Sequence, residues 1–325
     1  MNYNKNYIRS EEYTYDVSVI VASYNPSIDK LLFTIDSILN QKKVYVEIIV
    51  TDDGSKNNHF EKIKQYFKEN SFFDYRLIDH KNNQGTVLNI SDGVKIAKGE
   101  YLKVISPGDV LAFDDILFRW IQAITNSEYE WSFSDAYYYS EMNGNYSILE
   151  KYANPQLVKP YIDNKTDLCR WNYVVNDDLA IGAALLCKTY LFREYLDRII
   201  YKVKYAEDNV WRLMMYDGIL PYYFPEETVL YECNTGISNS PNNRWAKLLK
   251  ADWDATNQIM LENSNENDDF QKKMGKYVFK KYSNNVLLRK IEKAFIPGRI
   301  IFVIKRKYFP RTSNTEYDFK KLGEK

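Results

Sequence analysis

The sequence predicts an α/β protein with a Rossmann-like, mostly parallel sheet flanked by helices, and three features predict it. The buried run Val17-Ser18-Val19-Ile20-Val21 ends in the polar turn Ala22-Ser23-Tyr24-Asn25-Pro26. A second run, Glu47-Ile48-Ile49-Val50-Thr51, follows about 25 residues later and ends in Asp52-Asp53-Gly54-Ser55. Beyond them strands and helices alternate, the rhythm of a doubly wound sheet. Ligands of such sheets sit beyond the strand carboxyl ends, so the paired carboxylates mark the candidate edge.

Residues 1–14 are polar and read as a loose lead-in. After the first strand, Ser27 is placed to cap a helix carrying Leu31, Ile35, Ile38 and Leu39 on one face, with Asp29 in its first turn. A second helix carries Phe60, Ile63 and Phe67, and a third strand follows at Tyr75–Ile78. Val87, Ile90, Val94 and Ala97 define a third helix, with Gly99 as a candidate C-cap. Tyr101–Ile105 reads as a buried strand, a helix begins near residue 112, and Glu130–Ser134 returns as a strand. Residues 136–180, rich in Tyr, Asn and Asp with Pro155 and Pro160, read as irregular cover. Helices resume at about 188–200 and 208–217. The chain divides into the lead-in, a main domain over 15–255 and a helical, basic extension over 256–325.

With 44 basic and 44 acidic residues the formal net charge is zero, so no global field attracts nucleic acid. Aromatics make up 16% of the residues, dominated by 29 Tyr, which suits both ordinary packing and sugar stacking. Cys169, Cys187 and Cys233 are widely spaced and unpaired in pattern, as in a reducing compartment and unlike a structural zinc site. No apolar run reaches spanning length, so a cytoplasmic, non-integral protein is expected. Two His residues and no phosphate-binding Gly-Lys loop leave hydrolase and kinase chemistry without their central parts.

The two strand-end turns, together with Lys81-Asn82-Asn83-Gln84-Gly85 and Glu207-Asp208 ahead of an aromatic helix, resemble the family 2 glycosyltransferases of GT-A fold. The resemblance covers about residues 15–255. It implies an inverting transferase that moves a sugar from a UDP-sugar to a saccharide acceptor, in the manner of bacterial surface-polysaccharide enzymes acting on lipid-linked acceptors. Carried over by position, Ala22, Ser23 and Tyr24 cradle the nucleotide, and Asp52 with Asp53 meets uracil or ribose. Lys81 and Gly85 lie beside them, Gly85 permitting close backbone approach. Asp208 takes the position of the catalytic base, with Glu207 as its neighbour. Asp135 and Gly182 border the acceptor side, and Arg244 and Trp245 belong to a closing loop.

The family's metal motif is degenerate here. Ser106 and Gly108 replace its two acids and only the trailing Asp109 survives, so a divalent Mn or Mg ion rests on one carboxylate plus the donor diphosphate. Each acid also has a structural reading, as a strand-ending turn or a helix-capping group. The degenerate motif keeps a second interpretation open, a non-catalytic GT-A adaptor of an active partner. A third is a soluble enzyme that glycosylates protein. The segment Arg289–Arg311 interleaves basic and apolar residues and suits contact with an anionic membrane surface or packing on the domain.

Overall fold

The computed structural model describes residues 12–233, 243–265, 267–283 and 285–319; most of the polar lead-in and the greater part of the closing loop, 234–242, lie outside the described residues. The first half alternates as the sequence predicts: β1 (Tyr15–Ser23), α1 (Ile28–Leu39), β2 (Val46–Asp52), α2 (Phe60–Glu69), β3 (Tyr75–Asp79), α3 (Thr86–Ile96) and β4 (Gly99–Ile105). There follow β5 (Val110–Leu111), α4 (Ile116–Thr125), β6 (Trp131–Met142), β7 (Asn145–Leu149), α5 (Lys159–Ile162), α6 (Thr166–Val174) and β8 (Leu185–Lys188). The described chain closes with α7 (Thr189–Ile199), α8 (Asn209–Asp217), β9 (Tyr222–Glu232), α9 (Asn243–Glu262), α10 (Asp269–Val278), α11 (Val286–Ala294) and α12 (Arg299–Tyr308).

One sheet runs β3-β2-β1-β4-β8-β6-β9-β5, with β7 on β6. The half from β3 to β4 is parallel. The other half is mixed, since β8 lies antiparallel to both β4 and β6 whereas β9 runs parallel to β6. Because alternate strand residues face opposite sides, Ile20 and Ile49 join one core layer, and Val19, Val21, Ile48 and Val50 join the other. A continuous apolar run is what a strand covered on both faces requires.

Several local expectations need correction. Ser27 sits at the N-cap of α1 but its side chain makes no capping bond. Gly99 is not a C-cap: it opens β4, where a Cβ would lie 2.2 Å from the Ser18 amide nitrogen, so close strand approach selects it. The helix expected near residue 112 starts at Ile116, because Val110 and Leu111 pair with β9.

Residues 136–180 are not irregular cover. The stretch from Ala136 to Met142 extends β6: Ala136 and Tyr138 enter one core cluster while Tyr137 and Tyr139 enter another, as Tyr's strand preference allows. In α6, Cys169, Trp171, Tyr173 and Val174 are core residues. The helix α9 runs through residue 255 without a break, and its Ile259 and Met260 are buried in the main core.

Candidate active site

A cavity of about 700 Å³ opens at the carboxyl ends of β1, β2 and β4. Ala22, Ser23 and Tyr24 form its edge from β1, Asp53 stands behind them, and Ser106 and Asp109 follow β4. The two neighbouring carboxylates on β2's turn divide their work. Asp52 is fully buried and turned into its own turn, where its oxygens accept hydrogen bonds from the Ser55 amide (2.7 Å), the Ser55 hydroxyl (2.6 Å) and the Ser23 hydroxyl (3.2 Å). Asp53 lines the cavity, and its oxygens accept from the amides of Gln84 (2.7 Å) and Gly85 (2.9 Å). Burial pushes the Asp53 carboxyl up while those two amides pull it down. Gly85 has φ +98°, and a Cβ there would lie 2.6 Å from the Lys204 carbonyl oxygen, so only glycine lets this loop reach Asp53.

The cavity floor holds a charge cluster. Asp109 is buried, its Oδ1 accepts from the Glu232 amide (3.0 Å), and its own amide donates to the Ser106 carbonyl (3.0 Å). Burial pushes its carboxyl up to about 7, opposed by the Glu232 amide and the Lys103 ammonium. Lys103, wholly buried on β4, is pulled down to about 7 by the same burial, and its Nζ donates to the Ala183 carbonyl. Lys30 reaches in from α1 to pair with Oε1 of Glu232. The other Glu232 oxygen is buried and has no hydrogen-bond partner among the described residues. Among the described residues no three metal-ligating side chains are gathered together. Asp109 and Glu232 thus offer two carboxylates, one of them already paired with Lys30, and do not form a metal site built from protein alone.

Glu207 and Asp208 line the same cavity at the N-terminus of α8. Asp208 occupies the N-cap position, yet its side chain makes no capping bond and opens onto the cavity. The surrounding protein raises both carboxyls. For Glu207 the causes are burial and then the Asp208 charge; for Asp208 they are the reduced hydration of a carboxyl inside the cavity and, more weakly, the Asp252 charge. The helix behind them is rigidly seated: Trp211 stacks on Trp131 at 5.2 Å, and Arg212 donates to Asn257 (2.6 Å) and the Val174 carbonyl (3.2 Å). Asp252 of α9 holds the approach to the pair, its oxygens accepting from three successive amides, Lys204 (2.9 Å), Tyr205 (2.7 Å) and Ala206 (3.1 Å).

The fold thus brings Ala22, Ser23, Tyr24, Asp53, Ser106, Asp109, Gly182, Glu207, Asp208 and Trp245 around one cavity. Trp245 meets Tyr205 edge to face at 5.2 Å, and a Cβ on Gly182 would lie 4.0 Å from that of Asp208. Five expected residues are not on its wall. Asp52 and Gly85 stand behind it as supports for the turn and for Asp53, and Lys81 is exposed to solvent outside it. Arg244 is exposed at the start of α9. Asp135 is tied to Arg311 (2.6 Å) and the Tyr223 hydroxyl (2.7 Å), a long-range pairing away from the cavity wall.

Sequence reasoning missed Lys30, Lys103, Glu232 and Asp252. Only Lys103 carried a readable signal, a lysine inside the apolar strand Tyr101–Ile105.

The family model of glycosyl transferase family 2 matches residues 18–190, more than half of the chain. A curated relative, the UDP-Glc:alpha-D-GlcNAc-diphosphoundecaprenol beta-1,3-glucosyltransferase WfaP of Escherichia coli, is 27% identical over 199 residues, covering 54% of this chain and 76% of its own. Glycosyltransferase GlyG of Streptococcus pneumoniae is 26% identical over 130 residues, covering 40% of this chain but only 42% of its own length. Among solved structures, S. aureus TarS 1-349 in complex with UDP-GlcNAc superposes with a TM-score of 0.54 at 15% identity, covering 80% of this chain and 70% of that one. That likeness establishes the GT-A fold. The matched segment contains both strand-end turns, Asp53 and Asp109, and on this ground the chain belongs to glycosyl transferase family 2.

Proposed function

We propose that the protein is an inverting glycosyltransferase that moves a sugar from a UDP-sugar to a saccharide acceptor on a lipid carrier, at the inner face of a cell membrane, in the synthesis of a cell-surface glycan. The observation that carries this reading is that Asp208, whose side chain makes no capping bond, lines the same cavity as Asp53 and Asp109. Support for the donor comes from the UDP-GlcNAc bound by the TarS neighbour, and support for the acceptor from the diphosphoundecaprenol substrate in the name of WfaP.

In this mechanism the nucleotide lies along Ala22–Tyr24 and Asp53, directing its diphosphate to Ser106 and Asp109. The Asp208 carboxylate takes the proton of an acceptor hydroxyl. The freed oxygen pair attacks the anomeric carbon from the side opposite UDP, and the bond between that carbon and the diphosphate oxygen breaks with its electrons leaving on UDP. A raised pKa suits Asp208 to this step, because a base performs best when its pKa approaches the working pH. Asp109 and Glu232 are the residues that would hold a divalent ion beside the diphosphate, where its charge would offset that of the leaving group. Lys30, paired with Glu232 on the same floor, orients that carboxylate.

Asp208→Asn tests the assignment, since it preserves shape and removes the base. Turnover falls by at least about 100-fold with UDP binding and thermal stability unchanged. Wild-type turnover in this variant sinks the proposal. The adaptor reading draws on one specific observation: Asp109, the surviving motif acid, is buried and pushed up to about 7, and so is a poorer ligand than an exposed aspartate. UDP binding without transfer to any acceptor, with or without manganese, would favour it.

A further inference from the structure

We infer that the α11–α12 hairpin is a docking surface for an anionic lipid bilayer. The two helices repeat one apolar spacing. Leu287, Leu288, Ile291 and Phe295 fall at i, i+1, i+4 and i+8 on and just after α11, and Ile300, Ile301, Ile304 and Tyr308 fall at the same offsets on α12. At 100° per residue each set forms a single stripe. All eight are exposed, from 46% for Ile304 to 79% for Phe295. Contiguous apolar surface of this kind is rare on a soluble face that meets only water.

The stripe is not an unfinished part of the protein's own core, because the connection between the two helices and the inward face of α12 are already seated. Ile296 and Phe302 are buried in the protein, the Trp171 indole donates to the Pro297 carbonyl at 3.1 Å, and Arg299 donates to the Asn176 carbonyl. The outward face is therefore presented by an anchored element.

Charge selects the occupant. Residues 286–309 carry seven Lys or Arg against one acid, Glu292, which is committed to the Ser283 amide at 2.8 Å. On α11 Lys290 flanks the apolar stripe while Arg289 and Lys293 lie opposite it, and on α12 Lys305 and Lys307 flank it. Apolar residues that enter the acyl boundary, with lysines reaching phosphate at the rim, are what an interfacial helix needs. Helices of 9 and 10 residues are too short to span, and no described helix is long and apolar enough to cross a membrane. A second copy of the chain is the poorer fit, since a self-complementary interface on this stripe would bring the flanking lysines of both copies, Lys305 and Lys307 on α12, together. The docking stands on these faces alone; only its purpose, holding the cavity beside a lipid-borne acceptor, rests on the proposed function.

The full chain is tested by co-sedimentation with vesicles of phosphatidylcholine alone and of phosphatidylcholine and phosphatidylglycerol in equal parts. The expected result is binding to the mixed vesicles, weak binding to the neutral ones, and loss of the difference at high salt. Ile301→Glu with Ile304→Glu, and separately Lys305→Glu with Lys307→Glu, each lower vesicle affinity by about tenfold or more. UDP affinity, unchanged in both variants, verifies the fold. Equal binding to both vesicles, binding to neither, or wild-type binding by the variants would overturn the inference. So would a concentration-dependent dimer that Ile301→Glu with Ile304→Glu abolishes while vesicles are ignored, which would assign the face to a second copy. Loss of vesicle binding with retained transfer to a soluble acceptor leaves the proposed function intact. Loss of transfer in Asp208→Asn with vesicle binding retained leaves the docking intact.

Discussion

Asp52 and Asp53 are adjacent in sequence but answer to different partners, and this makes them separable by experiment. Asp53→Ala removes a cavity-wall carboxylate together with the anchor of the Gln84 and Gly85 amides, so UDP affinity falls by about 1.5–3 kcal/mol in calorimetry. Asp52→Ala instead unties the turn from Ser55 and lowers the melting temperature, with the smaller effect on UDP. Asp109 gives a pH signature. Its folded pKa of about 7 lies above the ordinary value of 3.8, so the native state binds the proton more tightly than the unfolded state. Its contribution to stability is present in full below the unfolded pKa and is lost as pH rises through about 7. Lys103, pulled from 10.5 to about 7, contributes with the opposite slope, chiefly above that pH. Between about pH 5 and 6.5, Asp109→Asn therefore gains stability relative to wild type by up to about 1.4 kcal/mol per pH unit in denaturant titrations. A difference that stays flat over that window would show that Asp109 is ionised there. The raised pKa of Asp208 has a kinetic counterpart: only its carboxylate accepts a proton, so the acid limb of the rate profile stands above the ordinary aspartate range.

At the scale of elements, the site depends on how α8 and α9 hold one loop. The Asp252 carboxylate on α9 gathers the amides of residues 204–206, and Glu207 and Asp208 follow at once. Asp252→Ala leaves three buried or half-buried donors without this partner and lets the base shift from its position. Turnover is expected to fall by at least about tenfold with UDP affinity nearly unchanged, because misplacement by even an ångström is costly to a reacting geometry. Equal losses in turnover and in UDP affinity would point instead to collapse of the whole cavity. The same loop supplies the Lys204 carbonyl that excludes any side chain at position 85, so both sides of the cavity share one support.

At the scale of the molecule, the C-terminal segment closes back on the main sheet. Arg311 pairs with Asp135 and donates twice to the Pro155 carbonyl, at 3.0 and 2.7 Å, and the Tyr317 hydroxyl donates to the Ala112 carbonyl at 2.6 Å. Tyr317 and Phe319 pack on the small core cluster of Val110, Tyr137, Tyr139 and Leu230. Arg311→Ala leaves the partly buried Asp135 with the Tyr223 hydroxyl but without its counter-ion, and is expected to destabilise the protein by about 2–3 kcal/mol, read as a melting temperature several degrees lower. A variant that melts like the wild type would show that the tail is a loose cover.

Local sequence determined the parts whose physics is local. Apolar runs bounded by polar turns specified the parallel half of the sheet, and the spacing of Leu31, Ile35 and Ile38 specified the face of α1. The Glu207-Asp208 doublet ahead of an apolar helix was legible for the same reason. Which of two neighbouring acids faces a cavity was not legible, because Asp52 and Asp53 differ only in the groups that the fold brings to them from residues 23, 55, 84 and 85. The tertiary structure alone joined Lys30 to Glu232 across 202 positions, set Asp252 beneath residues 204–206, and withdrew Asp135 to an arginine 176 residues away. Hydrogen bonds and charge pairs depend on distances of about 3 Å, and those distances follow from chain topology, which hydrophobic periodicity does not encode.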